Sequence, residues 1–331
     1  MYNPTITRPG PQQREPQFFP GQPGIRGSDA ALGWRQSPDA VVLYVDSGHA
    51  AANDSNIGTD PQAPFATVTA ALASNRLTQY SEIRVNGPVS EAVVIAQTLP
   101  NYCWLRGIGI QSWEPTWTSG AAASDCLLVR AEGWRISGFA FTVPSAAAAI
   151  FLDEIPASSY SSYKTQIDHC HFDGFWSGLT GVEFSGAPHR VVIDSCEFLE
   201  IQNGGNTSYA IQVTDSSNAN PYECVITNNL FWENDNHVGC LNADRSFNMS
   251  LFQGNIFGAG VLITTLIKLD LRGGSQGHNI VTGNVFGGDY SNTGGYYGNA
   301  AHPDMWVGNI AEDVAEAEVG DNGFTIAPPA A

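Results

Sequence analysis

The sequence predicts an all-β chain wound into a parallel β-helix, a solenoid of stacked coils, and three observations predict it. One hexad recurs through the C-terminal two-thirds: Ile136-Ser-Gly-Phe-Ala-Phe141, Ile167-Asp-His-Cys-His-Phe172, Ile193-Asp-Ser-Cys-Glu-Phe198, Ile226-Thr-Asn-Asn-Leu-Phe231, Phe252-Gln-Gly-Asn-Ile-Phe257, Val281-Thr-Gly-Asn-Val-Phe286, and a degenerate Trp306-Val-Gly-Asn-Ile-Ala311. Its fourth positions lie 31, 26, 33, 26, 29 and 25 residues apart, a period that signals a solenoid. A second alternating strand follows each hexad by about ten residues: Ile150-x-Leu152, Val182-x-Phe184, Ile211-x-Val213, Leu241-x-Ala243 and Ile267-x-Leu269-x-Leu271. Gly and Asn punctuate these strands, with no helical pattern between them.

Residues 1–40 come first and hold seven of the nineteen prolines, so they suit neither a helix nor a sheet interior. Arg8, Arg14, Arg26 and Arg35 outweigh Glu15, Asp29 and Asp39 here, and Phe18, Phe19, Ile25, Leu32 and Trp34 lie among them. The segment reads either as a disordered tail or as an arm that orders on a partner. The arm reading uses Arg8, Arg14, Phe18, Phe19, Arg26 and Trp34 as its contacts.

Residues 41–80 form a cap: Val41–Val45 as a strand, a polar loop to Asp60, and a short amphipathic helix in which Phe65, Val68 and Leu72 share a face. Residues 81–311 form the β-helix. Hexad positions 1 and 6 both face inward although five residues separate them, so the chain must bend between them, and Asn and Gly accept the left-handed backbone that such a bend requires. The fourth position reads Phe139, Cys170, Cys196, Asn229, Asn255, Asn284 and Asn309. Stacked about 4.8 Å apart, these asparagines are placed to pass amide hydrogen bonds from coil to coil. Cys170 and Cys196 occupy the same column as small buried side chains, with a disulfide between them the lesser alternative. The acidic stretch 312–331, with Glu312, Asp313, Glu316, Glu318 and Asp321, forms a C-terminal tail that caps the last coil or packs on a neighbour.

Composition excludes several classes of function. With 14 Lys and Arg against 32 Asp and Glu the net charge is −18, the reverse of a phosphate-binding surface, so no nucleic-acid partner is expected. The longest apolar run, Ala146 to Leu152, is far short of the roughly 20 residues of a membrane helix. The N-terminus lacks the apolar stretch of a secretory signal, which suggests synthesis in the cytoplasm. Six cysteines without a C-x-x-C pair argue against a disulfide scaffold or a structural zinc site.

The run Tyr44-Val-Asp-Ser-Gly, then Gly58-Thr-Asp-Pro, then Ala63-Pro-Phe-Ala-Thr-Val-Thr-Ala-Ala-Leu72, then Ile83-Arg-Val resembles the N-terminal cap of pectate-lyase-like right-handed β-helix proteins. The later Asn-x-Phe hexads resemble the Asn-bearing corner of the same superfamily, and together the likeness covers roughly residues 41–311. It implies a single-stranded right-handed parallel β-helix. It leaves function open, because the superfamily holds polysaccharide lyases, glycoside hydrolases, phage tailspikes and virion proteins without catalysis.

In the enzymes of that superfamily chemistry sits on the outer face of one stacked sheet. Along the second strand of each coil the outward positions include Glu183, Asp244 and Asp270, with Asp244 and Asp270 expected one coil apart, about 5 Å, near the separation of a retaining glycosidase pair. An acidic chain places carboxylates on outer faces by chance, so no catalytic set is favoured, and these three are the candidates only if the chain is an enzyme. His169-Cys170-His171 does not read as a metal site, because position 4 points inward and its neighbours do not. No metal or cofactor is expected. Trp113, Trp117, Trp176, Tyr296 and Tyr297 read as solvent-facing aromatics that stack on sugars or on a neighbouring subunit.

Two functions follow from the resemblance. The first is a structural virion protein of a tailed bacteriophage, on the outer surface of the particle, attached through residues 1–40 to the major capsid protein or a tail protein and assembled as a homotrimer. Within it, a capsid decoration protein is preferred to a tail-associated spike because the body is small. The second is a tailspike-type depolymerase, a glycoside hydrolase or polysaccharide lyase acting on host surface polysaccharide.

Overall fold

The computed structural model describes residues 39–109, 114–153, 162–186, 188–203, 207–214, 220–240, 246–258, 269–271, 277–287, 296–297 and 304–311. The arm contacts Arg8, Arg14, Phe18, Phe19, Arg26 and Trp34 and the tail 312–331 lie outside these residues, as does Asp244. Among the described residues no helix is long and apolar enough to cross a membrane.

The chain forms a parallel β-solenoid with three strands per coil, which stack into sheets of ten, nine and eight described strands. The coil at Val225–Thr227, Leu230–Trp232 and Asn236–Cys240 contributes one strand to each in turn, here called the first, second and third sheets. Each pairing between coils is parallel and in register. Hexad position 1 stacks as Ile136, Ile167, Ile193, Ile226, Phe252, Val281 and Trp306. Position 6 stacks as Phe141, Phe172, Phe198, Phe231, Phe257 and Phe286.

The core is therefore a set of columns. Ring centroids along the Phe column are 5.2, 4.6, 5.0, 4.9 and 4.9 Å apart and the rings lie within 10° of parallel. That spacing is the distance between neighbouring strands, so the rings stack because the coils do. The position-4 side chains are buried, as their inward placement requires. The side-chain amide of Asn229 donates to Oδ1 of Asn255 at 3.0 Å, Asn255 to Asn284 at 3.0 Å and Asn284 to Asn309 at 2.9 Å. Each of these oxygens also accepts the backbone N–H of the preceding column member, and each second amide hydrogen goes to a backbone carbonyl. All four bonding capacities of Asn255 are thus filled. Cys170 and Cys196 carry free thiols.

One detail of the hexad corrects the sequence reading. The left-handed residue of the corner is position 3, occupied by Gly138, His169, Ser195, Asn228, Gly254, Gly283 and Gly308, all with φ between 52° and 74°. The asparagine at position 4 locks the bend but does not make it.

At the N-terminus Val42–Val45 pairs with Glu82–Val85 and so begins the first sheet. The helix Val68–Ala73 buries Val68, Ala71 and Leu72. Six residues do not sustain a helix alone, and side chains hold its start: Thr67 Oγ1 accepts from Ala70 N, and the Glu91 carboxylate accepts from the N–H groups of Val68 and Thr69.

Candidate functional site

The outer face of the third sheet carries the described carboxylates that the sequence singles out. Its strands Ala148–Asp153, Thr180–Ser185, Tyr209–Thr214, Asn236–Cys240 and Leu269–Asp270 bury Ile150, Val182, Ile211, Val238 and Leu269 and turn the alternate residues outward. In register, one outward column reads Phe151, Glu183, Gln212 and Gly239, with Asp270 next above. Glu183 and Asp270 are therefore three coils apart, about 14 Å at the strand spacing.

The expected neighbour of Asp270 was Asp244, on a strand at Leu241-x-Ala243. The strand that this coil gives to the third sheet is Asn236–Cys240, and the residue beside Asp270 is Gly239. Its alternation is obscured by His237 and Gly239, which is why the more apolar segment after it looked like the strand. Glycine is needed there: a Cβ on Gly239 would meet the Tyr209 ring at 2.9 Å.

Glu183 stands in a distinct environment. Burial pushes its carboxyl up to about 7, the nearby Asp125 charge adds to the shift, and a hydrogen bond from the Thr214 hydroxyl at 3.0 Å opposes it. Asp125 is itself raised, by burial first and by Asp153 in addition, although it accepts a bond from Ala148 N at 2.9 Å. Asp153 is paired with Arg130 at 2.7 Å. Register places Asp153 beside Ser185, two residues along from Glu183, a diagonal Cα spacing of about 7–8 Å. A carboxyl raised to about 7 on the strand next to an ion-paired one is a chemical asymmetry suited to proton donation. Asp125 was missed in the sequence because it precedes its strand, in a loop without a motif.

Elsewhere the candidates separate. Cys170 points inward, His169 sits on the corner and bonds Asp168 at 2.9 Å, and His171 bonds Glu197 at 3.1 Å, so the three do not converge. The hydrogen bond to Asp168 raises the His169 imidazole, whereas burial lowers that of His171 against the pull of Glu197. Among the described residues no group of three potential metal ligands assembles. Arg190 is paired with Glu223 and bonds the Tyr163 hydroxyl. Trp117 is a correction: it lies in the strand Thr116–Thr118, fully buried, with its indole N–H on the Glu91 carbonyl. Trp176 is exposed as expected, next to the exposed Phe175. Trp113 lies outside the described residues, and Tyr296 and Tyr297 form a short third-sheet strand.

No family model and no curated protein matches the chain. Among solved structures it is similar to a tailspike protein mutant of the E. coli bacteriophage HK620 in complex with a pentasaccharide. That likeness has 12% identity and a TM-score of 0.43, over 87% of this chain and 68% of that one. It is also similar to the GH136 lacto-N-biosidase from Eubacterium ramulus, at 10% identity and a TM-score of 0.32 over 82% of this chain and 68% of that one. The chain is a parallel β-solenoid by its own strand register. Its three parallel sheets, Asn-bearing corner and N-terminal helix are the architecture that the resemblance to pectate-lyase-like proteins implies.

Proposed function

We propose that the chain is a structural virion protein of a tailed bacteriophage: a capsid decoration protein that attaches through residues 1–40 to the major capsid protein and projects its β-helix from the outer surface. The observation that supports this reading most is the continuity of the body. From Val42 to Ala311 successive coils are joined through the sheets, and in the later coils also through the Asn and Phe columns, giving a stiff rod. Ahead of it stands a Pro-rich segment with arginines and aromatics in an otherwise acidic chain. A rod with a sticky leader is built to be displayed. The test is the number of copies per particle, relative to the major capsid protein, in purified virions of the phage or prophage that encodes it. Hundreds of copies are expected; tens or none overturns the decoration reading and moves the chain to the tail or off the particle.

A second reading, a tailspike-type depolymerase of host surface polysaccharide, is favoured by one observation, the raised carboxyl of Glu183 beside the Arg130–Asp153 pair. In that reading Glu183 donates a proton to the departing glycosidic oxygen. Release of reducing sugar or unsaturated uronate from that polysaccharide, abolished by Glu183→Gln, establishes the enzyme; no release from the wild type removes it.

A further inference from the structure

The corner that follows the second sheet carries, across three successive coils, a face of aromatics and unpaired carboxylates. Phe175 and Trp176 come just after the strand His171–Asp173 and are 60% and 50% exposed; Trp232 ends the strand Leu230–Trp232 two coils on and is 43% exposed. Phe175 and Trp176 both hold a left-handed backbone, φ 45° and 61°, which is costly for bulky side chains and here turns them into solvent. Trp232 lies across Gly258, where any side chain would strike its ring. Among these rings stand Asp173, Glu200 and Glu233. Glu200 and Glu233 occupy equivalent places one coil apart, because Leu199 pairs with Trp232 and the Glu200 N–H bonds the Trp232 carbonyl; one strand spacing is about 4.8 Å. Burial first, then the charges of Asp173 and Glu233, raise the Glu200 carboxyl. Among the described residues no arginine or lysine reaches any of the three. Six of the seven described cations hold carboxylates elsewhere, and the seventh, Arg76, stands after the helix of the cap. Like charges stacked in this way destabilise the coils until a cation comes between them.

We propose that this face holds the chain's own N-terminal arm, with Pro23 on Phe175 and Trp176 and Arg26 between Glu200 and Glu233. Charge selects the occupant. Residues 1–40 carry four arginines against three carboxylates, +1, so the rest of the chain carries −19 and draws the arm to it. Pattern selects the register. In Pro20-Gly-Gln-Pro23-Gly-Ile-Arg26 the two prolines and the arginine recur at every third residue, and in an extended polyproline helix, with three residues per turn, they share one edge. Proline-rich segments lay that edge on aromatic faces, and they have little flexibility to lose on docking because proline is stiff beforehand. Three residues of such a helix advance about 9 Å, close to the two coil spacings, about 10 Å, between Trp176 and Glu233. Pro23 over Trp176 therefore delivers Arg26 to the carboxylates, where its guanidinium can pair with them and stack on Trp232. Length permits the return. Thirteen residues join Arg26 to Asp39, about 43 Å of extended chain, against about 29 Å for the six strand spacings from Val42–Val45 to Val225–Thr227. The inference concerns the free chain and stands whichever partner later takes the arm.

The test is the rate of tryptic cleavage after Arg26 in the full chain at low micromolar concentration and low salt, with the free peptide 1–40 as the unprotected reference. Where the arm redocks faster than it is cut, the rate reads the undocked population, and the wild type is expected to be cut about tenfold more slowly than the peptide, or slower still. Glu200→Gln with Glu233→Gln relieves repulsion within the rod, so the fold is kept; this variant is expected to be cut at the peptide's rate with an unchanged circular dichroism spectrum, as is Trp176→Ala. Raising the salt to about 0.5 M should bring the wild type towards the same rate by screening the arginine–carboxylate contacts. The control Asp60→Asn, which removes an exposed carboxylate of the cap, is expected to keep the protection. A wild type cut as fast as the peptide overturns the proposal. So does protection that survives the double variant, because the arm then lies elsewhere, or protection that grows with protein concentration, because the face is then filled by the arm of another copy.

Discussion

Asn255 uses two donors and both lone-pair directions of its amide inside the rod. Asn255→Leu, the same branched skeleton with bulkier methyl groups in place of the amide oxygen and nitrogen, leaves the amide donors of Asn229, Oδ1 of Asn284 and the Ile226 carbonyl short of a partner. The expected loss is about 2–4 kcal/mol by urea denaturation; an unchanged midpoint would sink the ladder as a source of stability. The neighbouring position answers to a different physics. Gly283 has φ 63° and free space around it, so Gly283→Ala should cost about 1 kcal/mol from backbone strain alone and Gly283→Asn markedly less. Glu183 responds to pH. Its folded-state carboxyl is raised from 4.5 to about 7, so folding takes up a proton between those values. Its contribution to stability is therefore present below about 4.5 and falls as pH rises through about 7. Glu183→Gln should flatten that slope; an equal slope in the variant would assign it to other groups.

At the scale of elements, the stacked phenylalanines set the cost of damage. Phe231 lies between Phe198 and Phe257 at 5.0 and 4.9 Å, and Phe231→Ala should destabilise by about 3–5 kcal/mol through the cavity left between rings. A loss below 1 kcal/mol in thermal or urea melts would mean that the coils close up around the gap. How legible these elements were depended on chemical constancy. The hexad and its Asn column were plain because position, spacing and residue type all repeat. A second corner, just before each first-sheet strand, was invisible. Its left-handed residues are Tyr80, Tyr102, Gly133, Lys164, Arg190, Glu223, Met249 and His278, almost none of them types that betray such a backbone. Coil stacking imposes the conformation, and side-chain pairings such as Lys164 with Glu132 and Arg190 with Glu223 secure it. The polar column at that corner, Cys224, Ser250, Asn279 and Asp304, does the work of the Asn ladder with four different residues, so no repeat search finds it. The candidate site suffered similarly: Glu183 followed from alternation, but its burial and the approach of Asp125 depend on loops that carry no pattern.

For the whole molecule, the body and its leader are expected to be separable. The first sheet begins at Val42–Val45, which pairs in parallel with Glu82–Val85 of the body itself. Deleting residues 1–40 should leave a soluble chain with an unchanged circular dichroism spectrum that no longer binds particles in a co-sedimentation assay; retained binding would show that attachment lies in the rod. Stability should be shared between neighbouring coils, as in other stacked repeats.

The Asn ladder also has a direction. Asn229, Asn255 and Asn284 each give one amide proton and the backbone N–H to Oδ1 of the asparagine in the coil that follows, while the second amide proton goes back to a carbonyl of the coil before. A newly emerged coil would therefore present two donors that the next asparagine accepts in the finished fold, so coils added in chain order would each complete the one before. A nascent chain stalled between Asn255 and Asn284 would leave both Asn255 donors waiting for the one oxygen, Asn284 Oδ1, that accepts them in the finished rod.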